Sequence, residues 1–423
     1  MMHDRALTRA HGVVMNAASS ASSFVALVEG CEGMYPADIR DVLAGEGSRF
    51  ATLLEDAEGA SAYPGAYAQG PLALPHPQDS EWRFSDGCAE ALAERAVRAA
   101  QENAVFCLGV PMVALAAARA GTSRLCVLGE DNVITRGLIK VIGSKADYEP
   151  PASGTAGAVV LDPPWYPDAY REMLAVAAKA CVVGATLFVG APAVGSRPRA
   201  EVDRNLMVQI AISLGVELVE IEPESLDYRT PMFELNALRA AGVGAALPNW
   251  RKGDLFLFRK TGATFEPSQP LSPLRGAFEL TLRGVRLRLS AELPSDLAVP
   301  LSLDVFPHVS TRAVGRTRFN LWSSGNRAVA VDRDDALDAL LILAERAGVW
   351  RRGLSPQATS VVDQTRLDPI QPLIHHLSHL VDLEFLETMA CAGDNGWDRS
   401  VDDARFLNSS WRAFRRDRHG HRV

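Results

Sequence analysis

The sequence predicts an α/β protein built around a doubly wound, mainly parallel sheet, with smaller units before and after it. Three observations predict this. Strand-like apolar runs alternate with helical patterns from Ala104 to Gly262, the order that crossover helices impose on parallel strands. The ends of those strands carry glycine or the rigid Asp162-Pro163-Pro164-Trp165 turn, where such sheets present ligands. The chain of 423 residues is too long for one typical core, so two or three domains are expected.

The first unit spans 1–80 and reads as helical or winged-helix plus a linker. Phe24, Val25, Leu27 and Val28 make one apolar stripe, and Tyr35-Pro36-Ala37-Asp38 opens a second helix continued by Ile39, Val42 and Leu43. Residues 60–80, rich in Gly, Pro, Ala and Tyr, read as the linker. Glu81-Trp82-Arg83-Phe84 then leads into an amphipathic helix over 89–100, with Leu92, Ala93, Ala96 and Val97 on one side.

The sheet domain is expected over 81–263. Its strands are read at 104–108, 124–128, 157–161, 185–190, 216–221 and 254–258, with a further one around 146–148. Helices start near Pro111, Asn132, Tyr166, Ala200 and Pro231. Beyond Thr264 the texture changes to alternating runs around Arg283-Gly284, a hairpin signal, followed by strand-like runs at 301–306 and 328–331 and a helix over 334–347. This predicts a small α+β domain over 275–355 and a helical segment with an arginine-rich tail over 356–423.

Composition narrows the function classes. With 48% hydrophobic and 22% charged residues the chain has the make-up of a folded soluble protein, and no apolar run spans a bilayer. The N-terminus lacks a secretory signal, so a cytoplasmic protein is expected. A net charge of −8 argues against strong unspecific grip on nucleic acid. The six cysteines are scattered without metal-ligand spacing, and His375, His376 and His379 sit in a packing stripe of Leu373, Ile374, Leu377 and Leu380, so no metal site is expected.

Three strand ends carry candidate chemistry. After the first strand, Leu108-Gly109-Val110-Pro111 permits close backbone approach of a ligand at a helix start, with Pro111 in the first turn. After the second, Glu130 or Asp131 is placed to accept hydrogen bonds from ribose hydroxyls, or Asp131 or Asn132 caps the next helix. After the third, the two prolines of Asp162-Pro163-Pro164-Trp165 cannot continue a ladder and force a rigid turn. That turn aims the Asp162 carboxylate and nearby carbonyls into the crevice, where they suit an amino group whose lone pair faces an electrophilic carbon. Trp165 offers a flat face for a planar substrate, unless it simply packs beneath a rigid strand-to-helix turn.

Downstream, Tyr228, Arg229 and Glu234 fall where a substrate-facing loop is expected, although Thr230 as a cap and Pro231 at the first helical position explain several of the same residues. Tyr166, beside the turn, joins them as a candidate substrate contact. The basic and polar residues of 306–327, with Trp322, form a candidate grip for phosphate or carboxylate, or equally the polar side of a surface strand.

Asp162-Pro163-Pro164-Trp165 resembles the D-P-P-[YFW] motif of amino-group methyltransferases, including N6-adenine methyltransferases and the related elongation-factor lysine methyltransferases. Phe106-Cys107-Leu108-Gly109-Val110-Pro111 is similar to the F-L-G-x-P variant of the latter group. The resemblance covers about Ala104 to Thr261. It implies a Rossmann-like class I methyltransferase fold, S-adenosylmethionine as cofactor and an amine-bearing acceptor, whether nucleobase, protein side chain or small molecule. It assigns Leu108, Gly109, Pro111, Glu130, Asp131 and Asp162 to the cofactor, and Asp162, Pro163, Pro164 and Trp165 to catalysis.

A second resemblance is to branched-chain polyamine synthases. They join a winged helix to a Rossmann domain with a D-P-P turn and transfer an aminopropyl group from decarboxylated S-adenosylmethionine. The order here is similar, with Asp79 and Trp82 in the linker, but their acidic G-D-D-D follows the first strand, where this chain has Gly109-Val110-Pro111. A third reading is a catalytically inactive Rossmann scaffold that binds a partner.

Overall fold

A computed structural model describes residues 2–59, 72, 82–122, 124–129, 133–197, 200–262, 278–283, 285–290, 309, 319–347 and 364–392. Two compact units emerge. One holds 1–73, 81–230 and 241–271, and the other holds 74–80, 231–240 and 272–423. Most of the linker region, Glu130, Asp131, the run at 301–306, Arg312 to Arg318 and the basic tail lie outside the described residues.

The first unit opens with helices α1 (Met2–Ala18), α2 (Phe24–Glu29), α3 (Pro36–Gly45) and α4 (Ala51–Glu58). Among the described residues of 2–59 there is no strand. Phe24, Leu27, Val28, Ile39 and Leu43 are buried, as their helical spacing requires. Ser23 caps α2 by accepting from the Ala26 N–H, and the proline at the start of α3 occupies a position whose N–H needs no partner.

Strand β1 (Arg83–Phe84) and helix α5 (Asp86–Ala100) lead into the sheet proper. There β2 (Ala104–Leu108), α6 (Pro111–Arg119), β3 (Leu125–Leu128), α7 (Val133–Ile142), β4 (Ala156–Leu161), α8 (Pro167–Ala180), β5 (Cys181–Pro192), α9 (Ala200–Ser213), β6 (Val216–Arg229) and β7 (Arg251–Lys260) follow in turn. The strand order is β1-β6-β7-β5-β4-β2-β3. β3, β2, β4 and β5 run parallel, whereas β7 is antiparallel to both β5 and β6. Every residue of β2 and β4 is buried, because helices cover both faces of a doubly wound sheet. α5 packs on α6 and α6 on α7, while α8 packs on α9, giving two helical layers.

Two elements differ from the sequence reading. The strand expected at 146–148 is reduced to a single bridge between Cys126 and Asp147. The strand expected to stop at 221 continues to Arg229, because register shifts at Leu218/Glu220 and Glu222/Leu226 absorb the polar residues that look like a loop. Between Val216 and Leu226 no described strand pairs with the outer edge of β6, since β1 reaches only Tyr228 and Arg229.

The second unit contains α10 (Met232–Ala240) and an antiparallel sheet of β8 (Phe278–Leu282), β9 (Val285–Leu289), β10 (Leu321–Ser323) and β11 (Ala328–Val329). The expected hairpin pairs Leu282 with Val285, and Arg283 takes a left-handed φ of 49° in its turn. Phe278, Leu280, Leu282, Val285, Leu287 and Leu289 form one buried face with α11 (Arg333–Arg346) and α12 (Gln364–Ala392). In α12, Leu373, Ile374, Leu377 and Leu380 are buried while His375 and His379 are exposed. Arg327, expected as part of an anion grip, is instead buried against Glu384 and Glu387, so its charge is already matched. No described helix is long and apolar enough to cross a membrane.

Candidate active site at the carboxyl edge of the sheet

Register brings the candidate residues together. Leu161 of β4 pairs with Leu108 of β2, Leu108 with Leu128 of β3, and Leu161 also with Val189 of β5. The residues that follow, Asp162, Gly109, Gly129 and Gly190, therefore stand side by side at the carboxyl edge, about 5 Å apart per strand. Because β7 is antiparallel, its first residues, Arg251 to Asp254, lie at this same edge, with Gly190 opposite Leu255 and Pro192 opposite Gly253.

Gly109 has a left-handed φ of 69°, and its N–H donates to Leu128 O at 2.8 Å. A Cβ there would meet only Met173 Cε, at 3.1 Å, so the backbone faces open space otherwise. The main chain at Gly109 is therefore open to close approach from outside. Val110, Met112 and Val113 are buried behind it, so α6 is fixed with its first turn at the edge. Of the ribose candidates, Glu130 and Asp131 lie outside the described residues.

Asp162 is half-buried and accepts a hydrogen bond from the Tyr228 hydroxyl at 2.9 Å on Oδ1. The Trp165 side chain donates a second. Burial pushes its carboxyl up to about 6, against the pull of the Arg251 charge and of the two donors. The Tyr228 and Tyr170 hydroxyls are driven well above their ordinary range, mainly by burial and then by the Asp162 charge, so both remain donors at any physiological pH. Tyr170 donates to Gly190 O at 3.0 Å, tying α8 to β5 under the site.

Two glycines make room for this arrangement. A Cβ at Gly190 would lie 2.2 Å from Asp162 Oδ1 and 3.1 Å from the Tyr228 hydroxyl oxygen. One at Gly253 would lie 2.9 Å from Tyr228 Cε2 and 3.0 Å from Ala191 O. The sequence reading missed both, although glycine inside a strand pattern marks close approach of another group.

Several expected roles are corrected. The face of Trp165 is not open to a substrate: the residue is 6% exposed, the Arg251 guanidinium carbon sits 3.6 Å above its ring, and Tyr228 meets it edge-on. The exposed aromatic is Tyr166, at 58% exposure, with the Arg197 guanidinium carbon 5.6 Å from its ring centre. Arg197 is held by Asp203 at 2.7 Å and by the Trp165 carbonyl. Tyr228 stands on β6, not on a loop, and is fully buried, so it supports Asp162 instead of reaching a substrate. Its neighbour Arg229, half-buried, pairs with Asp86 of α5. Thr230 donates to Leu247 O at 2.7 Å instead of capping a helix. Glu234 is buried in α10, within the second unit.

No protein-family profile and no curated protein sequence matches the chain. Solved structures do resemble it. The branched-chain polyamine synthase from Thermus thermophilus, in complex with N4-aminopropylspermidine and 5'-methylthioadenosine, is 14% identical at a TM-score of 0.47, covering 63% of this chain and 90% of that one. A putative RNA methyltransferase from Pyrococcus horikoshii is 14% identical at 0.33, covering 51% and 98%. A 16S rRNA methyltransferase from T. thermophilus, in complex with AdoMet and guanosine, is 15% identical at 0.30, covering 70% and 61%. Likeness this distant carries no activity with it.

The strand order decides the fold, since a seventh, antiparallel strand inserted between the fifth and sixth is found here as β7 between β5 and β6. The fold is Rossmann-like, of the class I methyltransferase kind. Within that fold, Gly109 and Asp162 stand at the carboxyl edge of the parallel strands.

Proposed function

We propose that this chain transfers the methyl group of S-adenosylmethionine to an amino nitrogen. The observation that carries the reading is the juxtaposition, at one sheet edge, of the Gly109 cradle and an Asp162 carboxylate already fixed by two donors. Leu108, Gly109 and Pro111 would line the cofactor, with Glu130 or Asp131 on its ribose. When bound, S-adenosylmethionine supplies an already activated methyl group, so the protein's task is positioning.

Asp162 performs that task. A carboxylate accepts up to about four hydrogen bonds, and two are used by Tyr228 and Trp165. The remainder suit the N–H groups of an amine, whose lone pair then points away from the carboxylate. An acid group near 6 is also well placed to take the proton an amine must lose, since a base works best close to the operating pH. Pro163 and Pro164 hold the turn rigid, and Tyr166 with Arg197 borders the site as the aromatic and cationic group an acceptor meets. Arg229 and Glu234 are not needed by this reading. A cytoplasmic location accords with it.

Calorimetric titration with S-adenosylmethionine, S-adenosylhomocysteine and the decarboxylated cofactor tests the reading. Binding of the first two is expected. Preference for the decarboxylated form would replace methyl by aminopropyl transfer, and silence from all three would favour a partner-binding scaffold. Gly109→Ala is expected to weaken S-adenosylmethionine about tenfold in the same titration, because the added methyl group enters the cradle the cofactor would occupy, and its left-handed φ adds a stability cost of roughly 1–2 kcal/mol.

A further inference from the structure

Arg251 begins β7 and is 8% exposed. Its guanidinium carbon lies 3.6 Å from the ring centre of Trp165, 4.4 Å from that of Trp82 and 4.9 Å from that of Tyr228. Three aromatic faces around one cation form a cage, each drawing the guanidinium to the negative face of its ring. The cage is anchored outward: Trp82 meets Trp250 edge-on at 5.7 Å, Trp250 meets Tyr35 at 5.9 Å, and Tyr35 stands at the start of α3. Two of the three cage walls, Trp165 and Tyr228, are the groups that donate to Asp162.

We infer that Arg251 is a positioning residue of the transfer site: caged by Trp82, Trp165 and Tyr228, it fixes both donors to Asp162 and supplies the positive charge that keeps this carboxylate an acceptor. The inference rests on the reading of Asp162 as the group that orients the amine, and it deepens that reading. Arg251 acts through its cage walls and its field, without touching substrate. An uncompensated carboxylate among these desolvating aromatic groups would take up a proton and turn from acceptor to donor, which an amine does not fit. The other groups facing Asp162 do not supply this charge. Tyr170 of α8 and Cys88 of α5 are neutral, held protonated mainly by burial. Arg197 is paired with Asp203 beside Tyr170, and Lys252 is paired with Asp227.

The test follows the Asp162 carboxyl directly, by carbon-13 NMR of full-length protein labelled at aspartate side chains, with the signal assigned by its loss in Asp162→Asn. The wild type is expected to titrate near 6. In Arg251→Met, which keeps the bulk and removes the charge, the midpoint moves upward. In Arg251→Lys it stays close to the wild type. A merely structural role would change thermal stability and leave the midpoint where it was, and an unchanged or lowered midpoint in Arg251→Met overturns the inference. If Arg251→Met fails to fold, Arg251→Gln removes the charge while keeping a long polar side chain, and an upward movement is again expected, with no movement again overturning it. Silence of the wild type toward all three cofactors would sink the transfer reading and leave this titration standing. An unmoved midpoint beside normal cofactor binding would sink the cage alone.

Discussion

Asp162→Ala is expected to lower transfer by about 10²–10⁴-fold, the range spanned by a positioned proton acceptor, while leaving S-adenosylmethionine binding in place. Single-turnover assays with a labelled methyl donor and a panel of amines measure the first effect, and calorimetry the second. Turnover at the wild-type level would remove Asp162 from the mechanism. The isosteric Asp162→Asn carries a further expectation, on stability. The folded-state value of about 6 lies above the ordinary 3.8, so the ionised form costs stability above pH 6. That cost is relieved as the pH falls from about 6 toward 3.8. Asparagine never bears it. Urea unfolding at pH 8 should find the variant more stable by up to about 3 kcal/mol, at 1.36 kcal/mol per pKa unit, and the advantage should shrink by pH 4. A site group that costs stability where it is active is what a functional residue in a buried setting is expected to be.

Gly190→Ala should lose as much transfer as Asp162→Ala although it removes no functional group. Its added carbon would lie 2.2 Å from Asp162 Oδ1, a distance no native contact shows, so the carboxylate or the strand must move. Overpacking of this kind costs about 1–3 kcal/mol, read from urea unfolding. The double variant separates the two effects. With alanine at both positions the obstructed oxygen is gone, so stability recovers relative to Gly190→Ala alone, and activity falls no further than in Asp162→Ala. Residues that act as one unit behave non-additively in this way. Additive losses would mean that Gly190 serves something other than Asp162.

The position of Asp162 at a strand end was legible because two successive prolines after an apolar run leave few conformations, and a turn at a strand end has few places to be. Gly109 was legible for a similar reason, standing between such a run and a helix-starting proline. The cage around Arg251 was not. Its members come from positions 82, 165, 228 and 251, and only the sheet register brings them to one place. Trp165 was misplaced for the same cause: a tryptophan after a turn was read as a platform ahead of a packed wall, and the cation that fills its face arrives from a strand 86 positions later. In the fold, the fully apolar strands were evident, whereas β6 was cut short in the reading because Glu222-Pro223-Glu224-Ser225 has the composition of a loop. Tyr228 was therefore assigned to a substrate-facing loop, when the same strand delivers it to the Asp162 carboxylate.

The length of β6 has a consequence for the molecule in solution. Among the described residues its outer edge offers Val219 and Ile221, 55% and 37% exposed, beside backbone groups that no described strand meets. Bare edges of this sort invite sheet-to-sheet stacking between molecules. Here the same stretch carries Glu217, Glu220 and Glu224, with Pro223 among them and lacking an N–H to offer, while Glu222 is paired with Arg95. Two copies brought edge to edge would set carboxylate against carboxylate, so the strand that carries Tyr228 inward also repels its own likeness outward, and solubility should fall as the pH drops into the carboxylate range.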